Sequence, residues 1–341
     1  MGNVEKFYAK PVVVFHSVDP DGIYSAWCVH HFYQVSYIAR KSNAVLDYVP
    51  WNYGEDINDA DYKKLKNASV IIMSDATLPD EYMNEFADKI VWLDHHVAAI
   101  EHSNTQEWRN KLFCNYAEDG TAGCLLTWNF FFNSDHNACL NSDMHEPAPY
   151  FIHYVADYDV WNKENANVDY LNSYNRKHMT FGTAALKRSK FEALRTNFAL
   201  INSDIAENRH GVLVEGRKLY QQKEEENEEQ CRQLAWHSSI FGHSIAVANY
   251  TKCNSEWFNY IVEKHPDIEY LIGFSYSFAT RNWKISAYNS STNPEGNSLE
   301  ILSKINDKYG DKVVSFGGHK GACGMIIKEI EPLLESIEDV K

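Results

Sequence analysis

The sequence predicts an α/β fold with a mainly parallel sheet covered by helices on both faces, followed by a smaller α/β domain. Two observations support this prediction. Short apolar runs alternate with helical patterns through the first half of the chain, which is typical of a parallel sheet built from successive strand and helix pairs. A polar stretch then separates this half from a second series of strand and helix patterns.

Three apolar runs in the first half predict buried strands. They lie at 11–15, 70–73 and 90–93. Helical patterns follow the first two strands at 22–33 and 79–88, and a further apolar helix is predicted at 122–132. Sheets of this kind place polar site residues just beyond the carboxyl ends of their strands, so the residues that follow these runs are the first candidates for a functional site.

The polar stretch covers residues 202–235, and its central part, 221–229, contains no apolar residue. An exposed connecting helix is the simplest interpretation, and an acidic interaction surface is the alternative. Beyond it, strands are predicted at 244–248, 270–277, 283–288 and 325–327, with a helix at 298–309. We therefore predict a first domain at 1–201, a helical connector at 202–235 and a second domain at 236–341.

Composition excludes several classes of protein. Lys and Arg total 32 and Asp and Glu total 47, giving a net charge of −15, so a general basic surface for duplex nucleic acid is not expected. An apolar share of 44% excludes a largely disordered chain. The seven cysteines are scattered and form no CxxC pair, which indicates reduced core thiols. With no apolar run of about 18 residues and no signal-peptide core, we expect a soluble cytoplasmic protein that does not bind membranes.

The first candidate site segment follows the strand at 11–15. His16, Asp19 and Asp21 lie within six residues, between a strand and a helix, and could direct nitrogen and oxygen ligands to one place. The sequence Asp-Pro-Asp-Gly is also typical of turns and helix N-caps, so both interpretations remain open at this point.

Three further segments carry polar residues at comparable places. Asp75 comes at the end of the second run, where a lone Asp is usually a helix cap. Asp94-His95-His96 closes the third run, and adjacent histidines point in different directions, so that one can bind a metal while the other faces a substrate. Asp157-Tyr158-Asp159 follows a helix-like run at 150–156.

In this order, the segments resemble the DHH phosphoesterase superfamily. The catalytic domain of that family carries a His/Asp loop, a lone Asp, an Asp-His-His triplet and a later Asp. Residues 316–324, FGGHKGACG, match the GGHxxAxG signature of the DHH-associated domain. The motifs extend from His16 to Gly324, so the resemblance covers almost the whole chain. It implies a catalytic domain at 1–201 and a substrate-binding domain at 236–341.

The resemblance implies a site with two divalent cations. One ion would be held by His16, Asp19 and Asp75, and the other by Asp21, Asp75, His95 and Asp157, so that Asp75 bridges them. Asp157 is preferred to Asp159 because it comes first after the helical run, and whether Asp159 is a ligand or lies beside the ligands is left open. Carboxylates with a few imidazoles suit Mn²⁺, with Mg²⁺, Co²⁺ and Fe²⁺ as alternatives. Two ions about 3.5–4 Å apart can activate a bridging hydroxide for attack on phosphorus. Catalytic roles would fall to His96, facing the phosphoryl oxygens, and to Asp94, holding the histidines.

Substrate binding is expected in the second domain. Gly317 and Gly318 would let the backbone approach a phosphate, and His319 would add a donor. Relatives that cleave short oligonucleotides carry an Arg in a pattern like SLRS, where residues 286–290 here read SAYNS. Tyr288 could stack on a base in its place, and Arg281 could supply the charge.

The predicted function is Mn²⁺-dependent hydrolysis of phosphodiester bonds in small nucleotides, namely short single-stranded oligonucleotides or linear and cyclic dinucleotides. The alternative enzyme is a phosphomonoesterase or phosphoanhydride hydrolase acting on 3′-phosphoadenosine 5′-phosphate, pyrophosphate or polyphosphate. Trp283 and Tyr288, with few Lys and Arg around them, favour bases over polyphosphate. A non-catalytic nucleotide sensor is the alternative of another class. The sequence leaves open whether the protein forms a homodimer.

Overall fold

A computed structural model describes residues 7–42, 44–133, 145–250, 252–278, 280–318 and 320–338. The chain forms two compact units, 1–220 and 221–341. The division falls inside a long helix, Arg209–Leu234, which occupies most of the stretch in which we predict a helical connector. Each unit is described by itself.

The first unit is built on a five-stranded sheet in which all strands are parallel, in the order β2-β1-β3-β4-β5. The strands are β1 Pro11–His16, β2 Asp47–Trp51, β3 Val70–Ser74, β4 Ile90–Leu93 and β5 Cys114–Asn115. From β1 the chain moves to one side of the sheet to form β2, and then crosses to the other side to form β3. The carboxyl ends of β1 and β3 therefore flank a topological switch point, which is where open α/β sheets bind their ligands.

Helices connect these strands and continue beyond them. They are α1 Pro20–Val35, α2 Tyr37–Ser42, α3 Asp59–Asn67, α4 Asp80–Phe86, α5 Val97–Ser103, α6 Gly123–Phe132, α7 Tyr150–Asp159, α8 Asn167–His178, α9 Thr183–Arg188, α10 Glu192–Leu200 and α11 Arg209–Leu234. The sequence explains where α1 begins: Asp19 caps it by accepting a hydrogen bond from the Gly22 N–H at 3.1 Å, and Pro20 is tolerated in the first turn, where its missing N–H costs nothing.

Alternate residues of the central strands are buried on opposite faces of this sheet. Val13, Phe15 and Ile72 belong to a core shared with α1, α6 and α7. Val14 and Met73 belong to a second core shared with α3 and α4. Burial on both faces explains why β1 and β3 are uninterrupted apolar runs, and it confirms the predicted sheet with helices on both faces.

The second unit is built on a seven-stranded mixed sheet in the order β10-β11-β9-β8-β7-β6-β12, where only β7 and β8 pair in parallel. Its strands are β6 Ala235–Ile240, β7 His243–Asn249, β8 Tyr270–Ser277, β9 Asn282–Asn289, β10 Val313–Gly318, β11 Ala322–Ile327 and β12 Ile337–Glu338. Its helices are α12 Asn259–Lys264, α13 Ser298–Tyr309 and α14 Glu331–Leu334. Helix α13 packs on one face, and Trp257 with Phe258 on the other. This is the predicted smaller α/β domain.

Some elements differ from the prediction. The glycine pair of the signature, for which no strand is predicted, belongs to β10. A Cβ on Gly318 would lie 2.6 Å from the Cα of Cys323 on β11, and its φ is 133°, so only glycine fits there. The predicted helix 79–88 ends at Phe86 and continues as a 3₁₀ turn, Ala87–Lys89.

Two other expectations concern cysteines and membranes. Cys28, Cys124, Cys231 and Cys323 are buried free thiols, and Cys253 is a partly buried free thiol. Cys114 is partly buried, and Cys139 lies outside the described residues. Within the part of the chain that the structure describes, no helix combines the length and the apolar character needed to cross a membrane.

Candidate metal centre

The predicted site residues of the first unit gather at the carboxyl edge of the parallel sheet. His16 is the last residue of β1, Asp75 directly follows β3, and Asp94 directly follows β4. These strands are neighbours in the sheet, and the Asp75 N–H donates a hydrogen bond to the Leu93 carbonyl at 2.8 Å. The switch point of the fold thus brings together residues that are far apart in sequence.

Two adjoining groups of side chains present ligand atoms at this edge. One contains His16, Asp75 and His96, and the other contains Asp21, His95 and Asp159; within each group the atoms lie within 4.8 Å of one another. Asp75 faces both groups. Its Oδ2 lies 3.7 Å from His16 Nδ1 and its Oδ1 lies 3.3 Å from His95 Nε2. One carboxylate therefore faces both groups.

Asn52 orients His16. Its Oδ1 lies 3.0 Å from His16 Nε2, so the ring donates its Nε2–H to the amide and turns Nδ1 toward Asp75. Nδ1 also lies 2.7 Å from Asp19 Oδ2. Burial lowers the pKa of His16, but Asp19 and Asp75 outweigh it and raise the pKa to about 11. Asn52 is not among the predicted site residues. It directly follows β2, and Asp75 and Asp94 directly follow β3 and β4 in the same way.

Asp94 orients the two histidines that follow it. It is fully buried, and its Oδ1 accepts hydrogen bonds from the backbone N–H groups of His95 at 2.8 Å and His96 at 3.2 Å. The same oxygen lies 2.7 Å from His96 Nδ1, and its other oxygen accepts a hydrogen bond from the Thr77 hydroxyl. Burial lowers the pKa of His96, but Asp94 outweighs it and raises the pKa. Because Asp94 engages Nδ1 of His96, Nε2 is the ring nitrogen that can bind a ligand.

Helix α6 supports Asp21. The two oxygens of this carboxylate accept hydrogen bonds from the N–H groups of Gly123 at 2.7 Å and Cys124 at 2.9 Å. N–H groups in the first turn of a helix have no partner within it and carry partial positive charge, so they suit a buried carboxylate. Burial, followed by the charges of Asp75 and Asp159, nevertheless raises the pKa of Asp21 well above its usual value.

Gly123 also packs directly against Asp75. A Cβ at position 123 would lie 2.5 Å from the Asp75 Cβ and 2.9 Å from Asp21 Oδ2. Asp75 itself has a φ of 55°, in the left-handed region that non-glycine residues seldom adopt. Both features fix the position of the bridging carboxylate. No role is predicted for the start of this helix, because the contact between Gly123 and Asp75 joins segments that are distant in the chain.

Asp159, and not the predicted Asp157, joins the cluster. Its Oδ2 lies 3.2 Å from His95 Nε2, and burial followed by the charge of Asp75 raises its pKa to about 7. Asp157 instead accepts a hydrogen bond from the Asn162 side chain at 3.0 Å. The prediction assumed a helix that stops at 156, but α7 extends through Asp159. Side chains two positions apart on a helix point to nearly opposite sides, so only one of them can face the site.

The substrate-binding candidates of the second unit do not form one group. Tyr288 lies near the end of β9, paired with Ala322, and Gly318 is paired with Cys323, so Tyr288 and the glycine pair share one end of the sheet. Arg281 occupies the turn before β9, at the other end of that strand, with a φ of 55° and an exposed side chain. Seven extended residues span about 23 Å, so Arg281 cannot assist Tyr288 on one small ligand. His319 lies outside the described residues.

The donor set of the first unit fits divalent cations. Both carboxylate oxygens of Asp75 are buried and have no hydrogen-bond partner among the described residues. Buried oxygens without a partner are rare in proteins, and here they face ring nitrogens of three histidines at 3.3–3.8 Å. Carboxylate oxygens combined with imidazole nitrogens suit Mn²⁺ and related ions.

Comparison with known proteins bears on the fold. No protein-family model matches the sequence, and no curated protein matches it. Among solved structures, RecJ from Thermus thermophilus in complex with Mn²⁺ is similar, with a TM-score of 0.51 and 12% identity over 98% of this chain and 52% of that chain. A pGpG-specific phosphodiesterase, PggH from Vibrio cholerae, has a TM-score of 0.46 and 13% identity over 96% of both chains.

An exopolyphosphatase-related protein from Bacteroides fragilis has a TM-score of 0.49 and 12% identity over 98% of this chain and 95% of that chain. At these identities, what is shared is the fold. The similarity to RecJ extends over nearly the whole of this chain, from the first unit through the second. The chain therefore has the fold of RecJ.

Proposed function

We propose that this protein is a metal-dependent phosphoesterase that hydrolyses phosphodiester bonds in small nucleotides. The observation that carries the proposal is the placement of Asp75, whose two unpartnered oxygens face two groups of metal-ligating side chains. That RecJ, a protein of the same fold, was obtained in complex with Mn²⁺ supports the choice of this ion. Bound there, two divalent cations supply Lewis-acid activation of water and of the phosphoryl group.

The chain's own residues orient the reacting groups. Asn52 keeps a proton on His16 Nε2, so Nδ1 is the nitrogen turned toward Asp75. Asp94 holds His96 by Nδ1 and raises its pKa, which favours the protonated imidazole. A protonated His96 donates a hydrogen bond from Nε2 to a phosphoryl oxygen and stabilises the charge that develops there.

The preference for small nucleotides rests on charge and on the second unit. The net charge of −15 disfavours long polyanions that need an extended basic surface. At the sheet end that holds the glycine pair, Tyr288 is half-buried and offers an aromatic ring for a base. These features favour a nucleotide over polyphosphate.

The test is hydrolysis by the full chain with Mn²⁺ and with Mg²⁺. The substrates are pApA, pGpG, cyclic di-AMP, cyclic di-GMP, 3′-phosphoadenosine 5′-phosphate and polyphosphate, and the products are separated by chromatography. We expect mononucleotide release from at least one dinucleotide, and its loss in Asp75→Asn, which keeps the side-chain volume but weakens binding of both ions. Turnover of polyphosphate or 3′-phosphoadenosine 5′-phosphate alone would replace the proposal by the alternative enzyme class. Dinucleotide binding without turnover would indicate a sensor.

A further inference from the structure

A recess adjoins the candidate metal centre inside the first unit. It has a volume of about 40 Å³ and lies between the start of α1 and the helices α7 and α8. Asp21 and Asp159, which belong to one of the metal-ligating groups, form part of its wall. Any group bound in the recess is therefore next to the atoms that hold the scissile phosphate in the proposed function.

Two buried amides among the lining residues have hydrogen-bonding atoms without a partner in the described part of the chain. Asn175 is fully buried; its Oδ1 accepts a hydrogen bond from the Tyr24 hydroxyl at 3.1 Å, and its Nδ2 has no partner among the described residues. Asn172 is 8% exposed, and its Oδ1 also has no partner within that part of the chain. A buried polar atom left unpaired costs about 1–3 kcal/mol. The amide nitrogen of Asn175 is therefore a donor, and the carbonyl oxygen of Asn172 an acceptor, that no described residue engages.

The cationic side chain that lines the recess is not available for a second phosphate. Asp19, Asp21 and Asp159 line it, whereas Arg176 is its only cationic lining residue in the described chain. The guanidinium of Arg176 is engaged elsewhere: Nη1 donates to the Val18 carbonyl at 3.2 Å, and the group lies 5.1 Å from the centre of the Phe181 ring. A neutral group that both donates and accepts hydrogen bonds matches the free amide atoms better than an anion does.

We propose that the recess binds the ribose hydroxyl groups of the substrate and so favours ribonucleotides over deoxyribonucleotides. A hydroxyl is neutral and is both donor and acceptor, which suits the Asn175 N–H and the Asn172 carbonyl. The ring of Tyr158, also in the lining, provides an apolar surface for the sugar. This inference rests on the proposed function, because a phosphate held at the metal centre brings the attached sugar to the recess.

The test compares pApA with its 2′-deoxy analogue and with bis(4-nitrophenyl) phosphate, a diester without sugar. One lost hydrogen-bonded pair costs about 1.4 kcal/mol, or tenfold in kcat/KM, so we expect the wild type to favour pApA over the deoxy analogue by about tenfold. Asn172→Leu, of similar volume, reduces that preference to less than about twofold and leaves bis(4-nitrophenyl) phosphate unaffected. Asn84→Leu, at an exposed position of α4 and outside the recess, keeps the preference for pApA.

The outcomes separate the inference from the proposed function. A wild type without ribose preference, or an Asn172→Leu variant that lowers the turnover of all three substrates alike, overturns the inference while the hydrolase stands. Asn172→Ala replaces the leucine variant if the latter does not fold. If the wild type hydrolyses no nucleotide, the proposed function fails, and calorimetric titration with AMP and dAMP in Mn²⁺ decides the inference. Tighter binding of AMP that disappears in the variant supports it, and equal binding refutes it.

Discussion

Replacing Gly123 by Ala tests whether packing against α6 fixes the bridging carboxylate. The added Cβ would lie 2.5 Å from the Asp75 Cβ, and ordinary contact begins at 3.4 Å, so Asp75 or the helix must move by about 0.9 Å. Metal-ligand distances are held to about ±0.2 Å, so this displacement is several times larger than the site tolerates. Misplacement by about 1 Å costs on the order of 100-fold in catalysis, which is the loss that we expect in kcat/KM.

Stability should change far less than activity in the same variant. Gly123 is helical, and alanine stabilises a helix by up to about 1 kcal/mol relative to glycine. Overpacking costs about 1–3 kcal/mol, so the two effects partly offset each other. Denaturant unfolding measured without Mn²⁺ should therefore shift by less than about 2 kcal/mol. Mn²⁺ affinity, measured by calorimetry, should fall together with kcat/KM.

A matched glycine-to-alanine change provides the control. Gly211 lies in α11, where the atoms nearest to a new Cβ belong to the side chain of the exposed Asn208, which can rotate away. Gly211→Ala should keep both activity and Mn²⁺ affinity. If Gly123→Ala also keeps them, the close approach of α6 does not position Asp75, and the reasoning is refuted.

Three further predictions concern the cluster and the core. Asp159→Asn should lower Mn²⁺-dependent turnover by about 100-fold or more, whereas Asp157→Asn should stay within about threefold; equal losses would contradict the assignment of Asp159. The raised pKa values of His16, about 11, and His95, about 10, mean that both rings carry a proton at pH 7 that a metal must displace. Calorimetric Mn²⁺ affinity should therefore increase from pH 6 to pH 9, by about tenfold per pH unit for each proton released; a flat profile would refute this. Phe131→Ala, at a fully buried position, should lower the free energy of unfolding by about 3–5 kcal/mol in denaturant titrations, and a loss below about 1 kcal/mol would show that the core is not packed as described.

The strands that could be predicted from the sequence are the central ones. β1, β3 and β4 are buried on both faces, so each is an uninterrupted apolar run. β2 lies at the edge of the sheet and contains Pro50, whose missing N–H is tolerated only at such a position, and its sequence therefore lacks the pattern of a buried strand. β5 has two residues, too few to show any periodicity.

The same reasoning separates the site residues that could be predicted from those that could not. His16, Asp75 and Asp94 stand at strand ends, and the parallel topology is enough to bring them together. Gly123 and Cys124 hold Asp21 through backbone N–H groups. Almost every residue type has such a group, so the sequence does not indicate this role. The choice between two acidic residues on α7 depends on helical phase.

That phase could have been read from the pattern on α7. Asp159 lies four residues after Val155, which is buried, whereas Asp157 lies four residues after His153, which is exposed. Residues four apart share a helix face, so the buried stripe leads to Asp159. The prediction chose Asp157 because the helix was taken to stop at 156, where this rule no longer applies.

The acidic character of the chain is compatible with nucleotide hydrolysis because protons and cations compete for the same atoms. Burial raises the pKa of Asp21 and of Asp159, whereas burial is outweighed at Asp75 by the facing His16 and His95, which lower its pKa. The three carboxylates therefore do not all ionise together in the protein alone; protons on the histidines and on the less acidic carboxylates balance the cluster. Divalent cations that replace those protons convert the most acidic part of the first unit into the place where a phosphate can bind.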